Sequence, residues 1–182
     1  MASFIVIQTS FLGDVVLTTP LLAELATRAP VDIVTTPAAA PLLANHPAIR
    51  EVIVYDKRGR DSGPLGFWRT VRRLRAGGYT DAYLAQGSSR SGLLAALAGV
   101  PRRVGFDTSA GRLWYTQRRR HIRDQHHAER LWRLAVGNDV ASASSEATRP
   151  RLYPGDVERA AVDALLRDVP RDGARLLTLA PG

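Results

Sequence analysis

The first stretch of the chain constrains the fold more than any other, because it reads as a strand that runs through a short turn into a helix. Four consecutive apolar residues at 4–7, FIVI, predict a short buried strand. A turn of mostly small and polar residues, TSFLGD, follows at 9–14, and a helical pattern starts at Val15. A unit of this kind opens a doubly wound α/β domain, in which ligands bind at the carboxyl ends of the strands.

Strands and helices alternate along the rest of the chain. Apolar segments predict further strands at 31–34, 51–55, 80–85, 103–106 and 175–179. Helical patterns cover 15–29, 38–45, 67–76, 88–98, 125–136 and 156–168. Pro20 predicts either a kink in the first of them or a helix that starts late. Residues 107–123 read as irregular, with one extended piece at 113–117. The alternation predicts the α/β class and a Rossmann-like, doubly wound parallel sheet.

The domain organisation is predicted from the last third of the chain. Small and polar residues at 138–149, NDVASASSEATR, indicate a loop or linker. The chain ends on a predicted strand and Ala-Pro-Gly, which is unusual for a complete α/β protein. We therefore expect an N-terminal domain over residues 1–172 and the start of a truncated second α/β domain over 173–182.

Composition excludes several classes of protein. A hydrophobic fraction of 45% over 182 residues predicts a globular domain with a sizeable core. Cysteine is absent, which excludes disulfides and thiolate metal sites and fits a reducing compartment. No apolar run reaches the roughly 18 residues of a membrane span. The first strand has no basic leader before it, so we expect no signal peptide and a cytoplasmic protein.

The chain is strongly basic, with 25 Lys and Arg residues against 17 Asp and Glu and a net charge of +8. Such a surface attracts polyanions, which include nucleic acid, anionic membranes and phosphorylated ligands. All but one of the basic residues are Arg. A general preference for Arg over Lys explains that ratio, but it does not explain where the charges cluster.

Asp14 suits two roles, and the stretch around it leaves both open. Asp is a favoured helix N-cap, but this position also faces the place where the fold binds ligands. A helix N-terminus lowers the pKa of a carboxyl group, yet a weak base still works when the substrate hydroxyl loses its proton late. Gly13 is the only glycine in the turn, so the dinucleotide-binding fingerprint GxGxxG is absent.

Basic residues recur in the loops that follow the predicted strands. Lys57, Arg58 and Arg60 follow the third strand, at the same edge of the sheet as Asp14, and Arg side chains suit phosphate. Residues 86–91, QGSSRS, form either an anion-binding helix start or a plain cap made by Ser88.

A further cluster joins Arg112, the run RRRH at 118–121 and the pair His126-His127. Adjacent histidines cannot share a helix face and HExxH is absent, so we expect no metal site.

Four segments together resemble the N-terminal half of glycosyltransferase family 9, the ADP-heptose:lipopolysaccharide heptosyltransferases. They are TSFLGDVVLTTPLL at 9–22, AYLAQGSSRSGLLA at 82–95, GVPRRVGFD at 99–107 and RRRHIRDQHHAERLWRL at 118–134. The terminal LLTLAPG is similar to the place where the family's second domain begins. The resemblance covers nearly the whole chain in order.

The resemblance implies a GT-B enzyme, with two Rossmann-like domains that face each other across a cleft. The N-terminal half would bind the acceptor, and the missing half would bind the ADP-heptose donor. The implied reaction is inverting, needs no metal or other cofactor, and moves a heptose to the phosphorylated inner core of lipopolysaccharide. The implied location is the cytoplasm, peripheral on the inner membrane, with an anionic membrane surface as a further partner and no nucleic acid. The fragment alone would be inactive.

The family's functional positions carry over to particular residues here. Asp14 is the implied catalytic base, and Arg58, Arg90 and Arg112 are implied acceptor-binding residues, with Arg90 standing where the family is expected to have Lys. Lys57 and Arg60 are added because they are neighbours. The full predicted acceptor-binding set is Thr9, Ser10, Gly13, Lys57, Arg58, Arg60, Ser89, Arg90 and Arg112.

Other classes compete with this interpretation. The main alternative is a basic nucleotide- or nucleic-acid-binding Rossmann-like domain without transferase activity, whose affinity would fall steeply with salt. A nucleotide-dependent oxidoreductase is disfavoured because GxGxxG is absent. A sugar-binding protein that has lost catalysis is disfavoured by the presence of Asp14.

Overall fold

A computed structural model of the chain describes residues 1–140 and 143–167 and contains a six-stranded sheet. The strands are β1 (Phe4–Ile7), β2 (Val31–Thr35), β3 (Glu51–Val54), β4 (Asp81–Leu84), β5 (Arg102–Phe106) and β6 (Gln117–Arg119). All neighbouring pairs are parallel, in the order β3-β2-β1-β4-β5-β6. The predicted Rossmann-like parallel sheet is confirmed.

Seven α-helices and one 3₁₀ helix are found in the described residues. They are α1 (Leu12–Leu17), α2 (Thr19–Ala26), α3 (Ala40–Leu43), α4 (Gly63–Ala76), α5 (Ser89–Leu97), α6 (His127–Val136), α7 (Asp156–Leu165) and the 3₁₀ helix Arg112–Trp114.

The central strand β1 is buried on both sides, which requires helices on both faces of the sheet. Because side chains alternate along a strand, Phe4 and Val6 join one core, where they meet residues of α1, α2 and α6. Ile5 and Ile7 join the opposite core, with residues of α4 and α5. The short run of apolar residues at the start of the chain therefore supports both layers of the domain.

The strand order reverses between β1 and β4. From β1 the chain builds outward through β2 and β3, then returns to place β4 on the other side of β1. The loops after β1 and β4 diverge at this point and leave a crevice, which is where open α/β sheets bind ligands.

Several element boundaries differ from the sequence-based expectation, and the largest shifts are at α1, α2 and α4. The predicted helix at 15–29 is two helices that meet at Thr18, and the first begins three residues early, at Leu12. Pro20 lies in the first turn of α2, where its missing N–H costs nothing. Of the two alternatives predicted at Pro20, the structure therefore has a helix that starts late, at Thr19, rather than a kinked helix. Helix α4 begins at Gly63 rather than residue 67.

The extended segment predicted at 113–117 lies later in the sequence than expected. Residues Arg112–Trp114 form the 3₁₀ helix, and the sixth strand is Gln117–Arg119. A strand at the edge of a sheet has one neighbour only, so its register depends on that pairing, here with β5.

Four predictions fall partly or wholly outside the described residues. The strand at 175–179 and the boundary at 173 lie outside them, as do residues 141 and 142 of the polar stretch and residue 168 of the last predicted helix. The division into domains therefore stays a prediction. Within the described ranges, no helix has the length and apolar character needed to cross a membrane.

A buried carboxylate ties three elements together at the amino end of the sheet. Asp32 in β2 is 1% exposed and accepts hydrogen bonds from Arg50 Nε and Nη2 at 2.9 and 2.6 Å. It also accepts one from the Tyr79 hydroxyl at 2.6 Å. Burial, together with this carboxylate, raises the pKa of Tyr79. Asp32 thus connects β2 to the segments that lead into β3 and β4.

Asp32→Ala should lower the free energy of unfolding by roughly 1.5–3 kcal/mol, because a buried hydroxyl and a guanidinium lose a charged acceptor. Urea denaturation of the chain measures this. The matched control is Glu51→Ala, which breaks an ion pair with Arg73 whose side chains are 51% and 49% exposed. That loss should stay at or below about 1 kcal/mol. Equal losses in the two variants would contradict a special role for Asp32.

Candidate functional site

The end of β1 organises the segment that carries Asp14. Gln8 is buried, and its side-chain amide donates to Thr18 Oγ1 at 3.0 Å. Thr18 in turn donates its hydroxyl to the carbonyl of Asp14 at 2.7 Å. These bonds fix α1 to the central strand of the sheet.

Asp14 lies in the first turn of α1, and it is not the N-cap. The N-cap is Phe11, whose carbonyl accepts the N–H of Val15 at 3.2 Å. The carboxylate of Asp14 is 36% exposed, and its Oδ2 lies 2.8 Å from the hydroxyl of Ser10. Ser10 Oγ is also 2.7 Å from Gln8 Oε1, and its single proton serves one acceptor at a time. The N-cap interpretation is therefore wrong, and the carboxylate stays partly open to solvent.

Gly13 precedes this carboxylate and faces open space. A Cβ atom built on Gly13 would meet no heavy atom within 4 Å, and its φ angle is not positive. Neither packing nor backbone conformation therefore requires glycine at this position.

A cavity of about 530 Å³ opens beside this turn, mainly over the carboxyl ends of β1, β2 and β3. The loops after β1, β2, β3 and β4 all contribute to its wall. The lining residues are Thr9, Ser10, Phe11, Leu12, Thr36, Pro37, Ala38, Tyr55, Asp56, Lys57, Arg58 and Gln86. The structure thus brings together Thr9, Ser10, Lys57 and Arg58, four of the predicted acceptor-binding residues.

Hydrogen bonds across the crevice link its loops. The hydroxyl of Thr9 donates to Gln86 Oε1, which joins the loops after β1 and β4. Lys57 donates to the Thr9 carbonyl at 2.7 Å and approaches the Thr9 hydroxyl at 3.3 Å. The cavity wall is therefore held by polar contacts between strand-end loops.

The cations at this edge lack acidic partners among the described residues. Lys57 has none, and burial lowers its pKa, with Arg58 and Arg90 adding repulsion. Arg58 is exposed and forms no ion pair with the residues that the structure describes. Asp56 also lines the cavity, but its carboxylate accepts hydrogen bonds from the backbone N–H groups of Gly59 and Arg60. Three positive charges that form no ion pair with the described residues favour an anionic ligand.

Two aromatic side chains hold the guanidinium group of Arg90 in place. Its Nε donates to the Tyr55 hydroxyl at 2.6 Å, and its guanidinium lies 5.5 Å from the Tyr55 ring centroid and 5.4 Å from that of Phe67. Arg90 does not line the 530 Å³ cavity but contacts Tyr55 of its wall, and together with Ser89 it lines a separate pocket of about 430 Å³. Tyr55 was not a predicted site residue, because only the fold brings it to Arg90.

The remaining predicted residues lie outside this cavity. Ser88 caps α5 by accepting the N–H of Ser91 at 3.1 Å, as one of the two interpretations predicted, and Ser89 donates to the Ala110 carbonyl at 3.0 Å. Arg60 lies 3.7 Å from the carboxylate of Asp61. Arg112 is exposed in the 3₁₀ helix.

His127 is a neighbour of Asp14 that the sequence did not predict. Its Nε2 lies 3.7 Å from Asp14 Oδ1, although the two residues are far apart in sequence. From the sequence, the pair His126-His127 is considered only as a candidate metal site. Within residues 1–140 and 143–167, no group of three or more His, Cys, Asp or Glu residues could hold a metal ion.

Arg58→Ala or Arg90→Ala should raise the pKa of Lys57, because each removes a positive charge that opposes protonation. Lys57 is the only lysine in the chain, so NMR titration of a lysine-labelled sample follows it without assignment. Arg60→Ala is the control, since Arg60 pairs with Asp61 and does not act on Lys57. A rise in the control as large as that in Arg58→Ala would contradict this account of the cavity charges.

Comparison with known proteins shows similarity at the level of structure. No protein-family profile matches the chain, and no curated protein matches it. A solved glycosyltransferase of family 9 from Veillonella parvula aligns with a TM-score of 0.78 and 22% identity over 91% of this chain and 49% of its own. Heptosyltransferase II of E. coli, which acts with ADP-heptose on lipopolysaccharide, aligns with a TM-score of 0.70 and 22% identity over 91% of this chain and 50% of its own.

A third solved structure is E. coli heptosyltransferase WaaC with ADP-2-deoxy-2-fluoro heptose. It aligns with a TM-score of 0.65 and 24% identity over 93% of this chain and 56% of its own. The chain spans about half the length of the solved structures that it matches. The resemblance to glycosyltransferase family 9 is therefore confirmed at the level of structure, and the chain has the fold of one half of a GT-B glycosyltransferase.

Proposed function

We propose that this chain is the acceptor-binding half of an inverting glycosyltransferase. The proposed reaction moves a heptose from ADP-heptose to the phosphorylated inner core of lipopolysaccharide. The observation that carries the proposal is the position of Asp14, a partly exposed carboxylate that does not itself line the cavity but lies 2.8 Å from the hydroxyl of Ser10 in the cavity wall. Lys57 and Arg58 of the same wall form no ion pair with the described residues. The fold shared with heptosyltransferases supports the choice of reaction.

The cavity chemistry supports an acceptor that carries phosphates and carboxylates. The planar guanidinium groups of Arg58 and Arg90 can each form two parallel hydrogen bonds with a phosphate or carboxylate group. The ammonium group of Lys57 adds a compact positive charge. The apolar part of the wall, which includes Phe11 and Pro37, would contact the sugar ring faces. The ADP part of the donor would bind the other half of the enzyme.

In the proposed mechanism Asp14 acts as general base in a single displacement. Its carboxylate takes the proton of the acceptor hydroxyl while that oxygen forms a bond to the anomeric carbon. The bond between that carbon and the β-phosphate oxygen breaks at the same time, and ADP leaves with the electron pair. Attack from the face opposite to ADP inverts the anomeric configuration. Holding both substrates in line supplies much of the barrier reduction, and no metal is required.

A peripheral position on an anionic membrane is part of the proposal. The net charge of +8 favours such a surface. Leu65, Trp68 and Leu113 expose large apolar side chains that would enter the interface between headgroups and acyl chains.

Asp14→Asn should lower turnover about 10²–10⁴-fold in a protein that carries both halves, because the amide cannot accept the proton. Product formation on a lipopolysaccharide core acceptor measures this. Thermal stability should change little, since the Asn carbonyl can still accept from Ser10. Turnover of the unaltered protein should be the same with and without a chelator.

Asp163→Asn in α7 is the matched control, since it makes the same change at an exposed residue. It should leave turnover unchanged. Near-normal turnover in Asp14→Asn would refute the base role.

Arg58→Ala and Arg90→Ala should each weaken acceptor binding by roughly 1.5–3 kcal/mol, the value of hydrogen bonds between charged groups. Calorimetry of the chain with a phosphorylated inner-core oligosaccharide measures this. Arg72→Ala is the control, because Arg72 is exposed on α4 and does not line the cavity. The nucleic-acid-binding alternative would be favoured if the chain bound RNA and the oligosaccharide with equal affinity and if both affinities fell steeply as the salt concentration rose.

A further inference from the structure

Helix α6 brings a histidine to the carboxylate proposed as the base. The helix packs against α1 and α2, so its first residue, His127, lies beside Asp14. The distance from His127 Nε2 to Asp14 Oδ1 is 3.7 Å, and the two side chains are 33% and 36% exposed. Oδ2 of the same carboxylate faces Ser10. The two oxygens of Asp14 therefore have different polar neighbours.

Arg130 determines which ring nitrogen of His127 carries the proton. Its Nη2 lies 2.9 Å from His127 Nδ1, and its Nη1 donates to the Arg123 carbonyl at 3.2 Å. A guanidinium group only donates hydrogen bonds, so Nδ1 must be the acceptor. In the neutral ring the proton then sits on Nε2, which faces Asp14. One turn of α6 thus specifies both the ring orientation and the tautomer.

We propose that His127 is a positioning residue for Asp14. Its neutral Nε2–H faces Oδ1 at 3.7 Å, longer than a hydrogen bond, and would close onto that oxygen when the acceptor hydroxyl binds, while Ser10 can donate to Oδ2. This inference rests on the proposed function, because it gives His127 a role through the base of that reaction. His127 itself takes no proton from the substrate.

The charge state of the ring supports this role. Burial lowers the pKa of His127, and Arg130, His126 and His121 lower it further, while Asp14 alone acts in the opposite direction. The ring is therefore neutral at neutral pH. An imidazolium at this distance would stabilise the carboxylate and lower its affinity for a proton. Acidification through the pKa of His127 should thus weaken the base before the fold is affected.

Two substitutions separate positioning from a structural role. His127→Ala removes the N–H and should lower kcat about three- to tenfold, the value of one weak hydrogen bond, with little change in KM. His127→Gln places an amide N–H near the position of Nε2 and cannot titrate. It should restore most of kcat and shift the acidic limb of the pH profile to lower pH. Both are measured in the protein that carries both halves.

His126→Asn is the matched control. His126 caps α6 through its Nδ1, and Asn is a good N-cap that lacks the imidazole. It should keep kcat unchanged. A normal kcat and an unshifted acidic limb in His127→Ala would overturn the positioning role, and so would equal losses in the Ala and Gln variants.

Imidazole ¹⁵N NMR of the chain tests the geometry without any activity. At neutral pH Nε2 of His127 should be protonated and Nδ1 unprotonated. Asp14→Asn should lower the pKa of His127 and Arg130→Ala should raise it. A proton on Nδ1 would overturn the inference even in an active enzyme. Absence of transferase activity in the unaltered protein would overturn the proposed function, and with it the catalytic part of this inference, whatever the NMR result.

Discussion

The burial of one short strand on both faces is the constraint on which the rest of the structure depends. All four residues of β1 are buried, and they point alternately into two separate cores. Helices must therefore cover both faces, and parallel strands then send all their carboxyl-terminal loops to one edge. That edge collects the turn with Asp14, the basic loop after β3 and the loop after β4. The chemistry of the site follows from the packing of Phe4–Ile7.

The basic residues of this chain fall into two groups, which differ in whether they form ion pairs with carboxylates. Arg50, Arg73 and Arg102 meet carboxylates, and these pairs lie around the sheet and its helices. Lys57 and Arg58 have no carboxylate partner among the described residues, although the positive charge of Arg58 disfavours protonation of Lys57. A ligand with negative charge would relieve that repulsion. The sequence composition gives the excess of positive charge. Only the fold shows which basic residues have no carboxylate partner among the described residues.

The parts of the structure that could be predicted from sequence depend on local patterns. Apolar runs located β1 to β5, and the strand-end loops located Lys57 and Arg58 correctly at one edge. The start of α1 was misplaced because Phe11 and Leu12 read as turn residues, although the helix includes Leu12 and reaches Asp14 within its first turn. His127 could not be predicted from local patterns, because its contact with Asp14 arises from the packing of α6 on α1 and α2.

The open surroundings of Gly13 have a consequence for how this protein tolerates change. A Cβ atom there would meet no heavy atom within 4 Å apart from its chain neighbours, and glycine within a helix is less favourable than alanine by about 1 kcal/mol. Alanine at residue 13 should therefore be neutral or stabilising for the fold. Under the proposed function, a series of substitutions of increasing size at this position would measure how closely the acceptor approaches Asp14, independently of the stability of the fold.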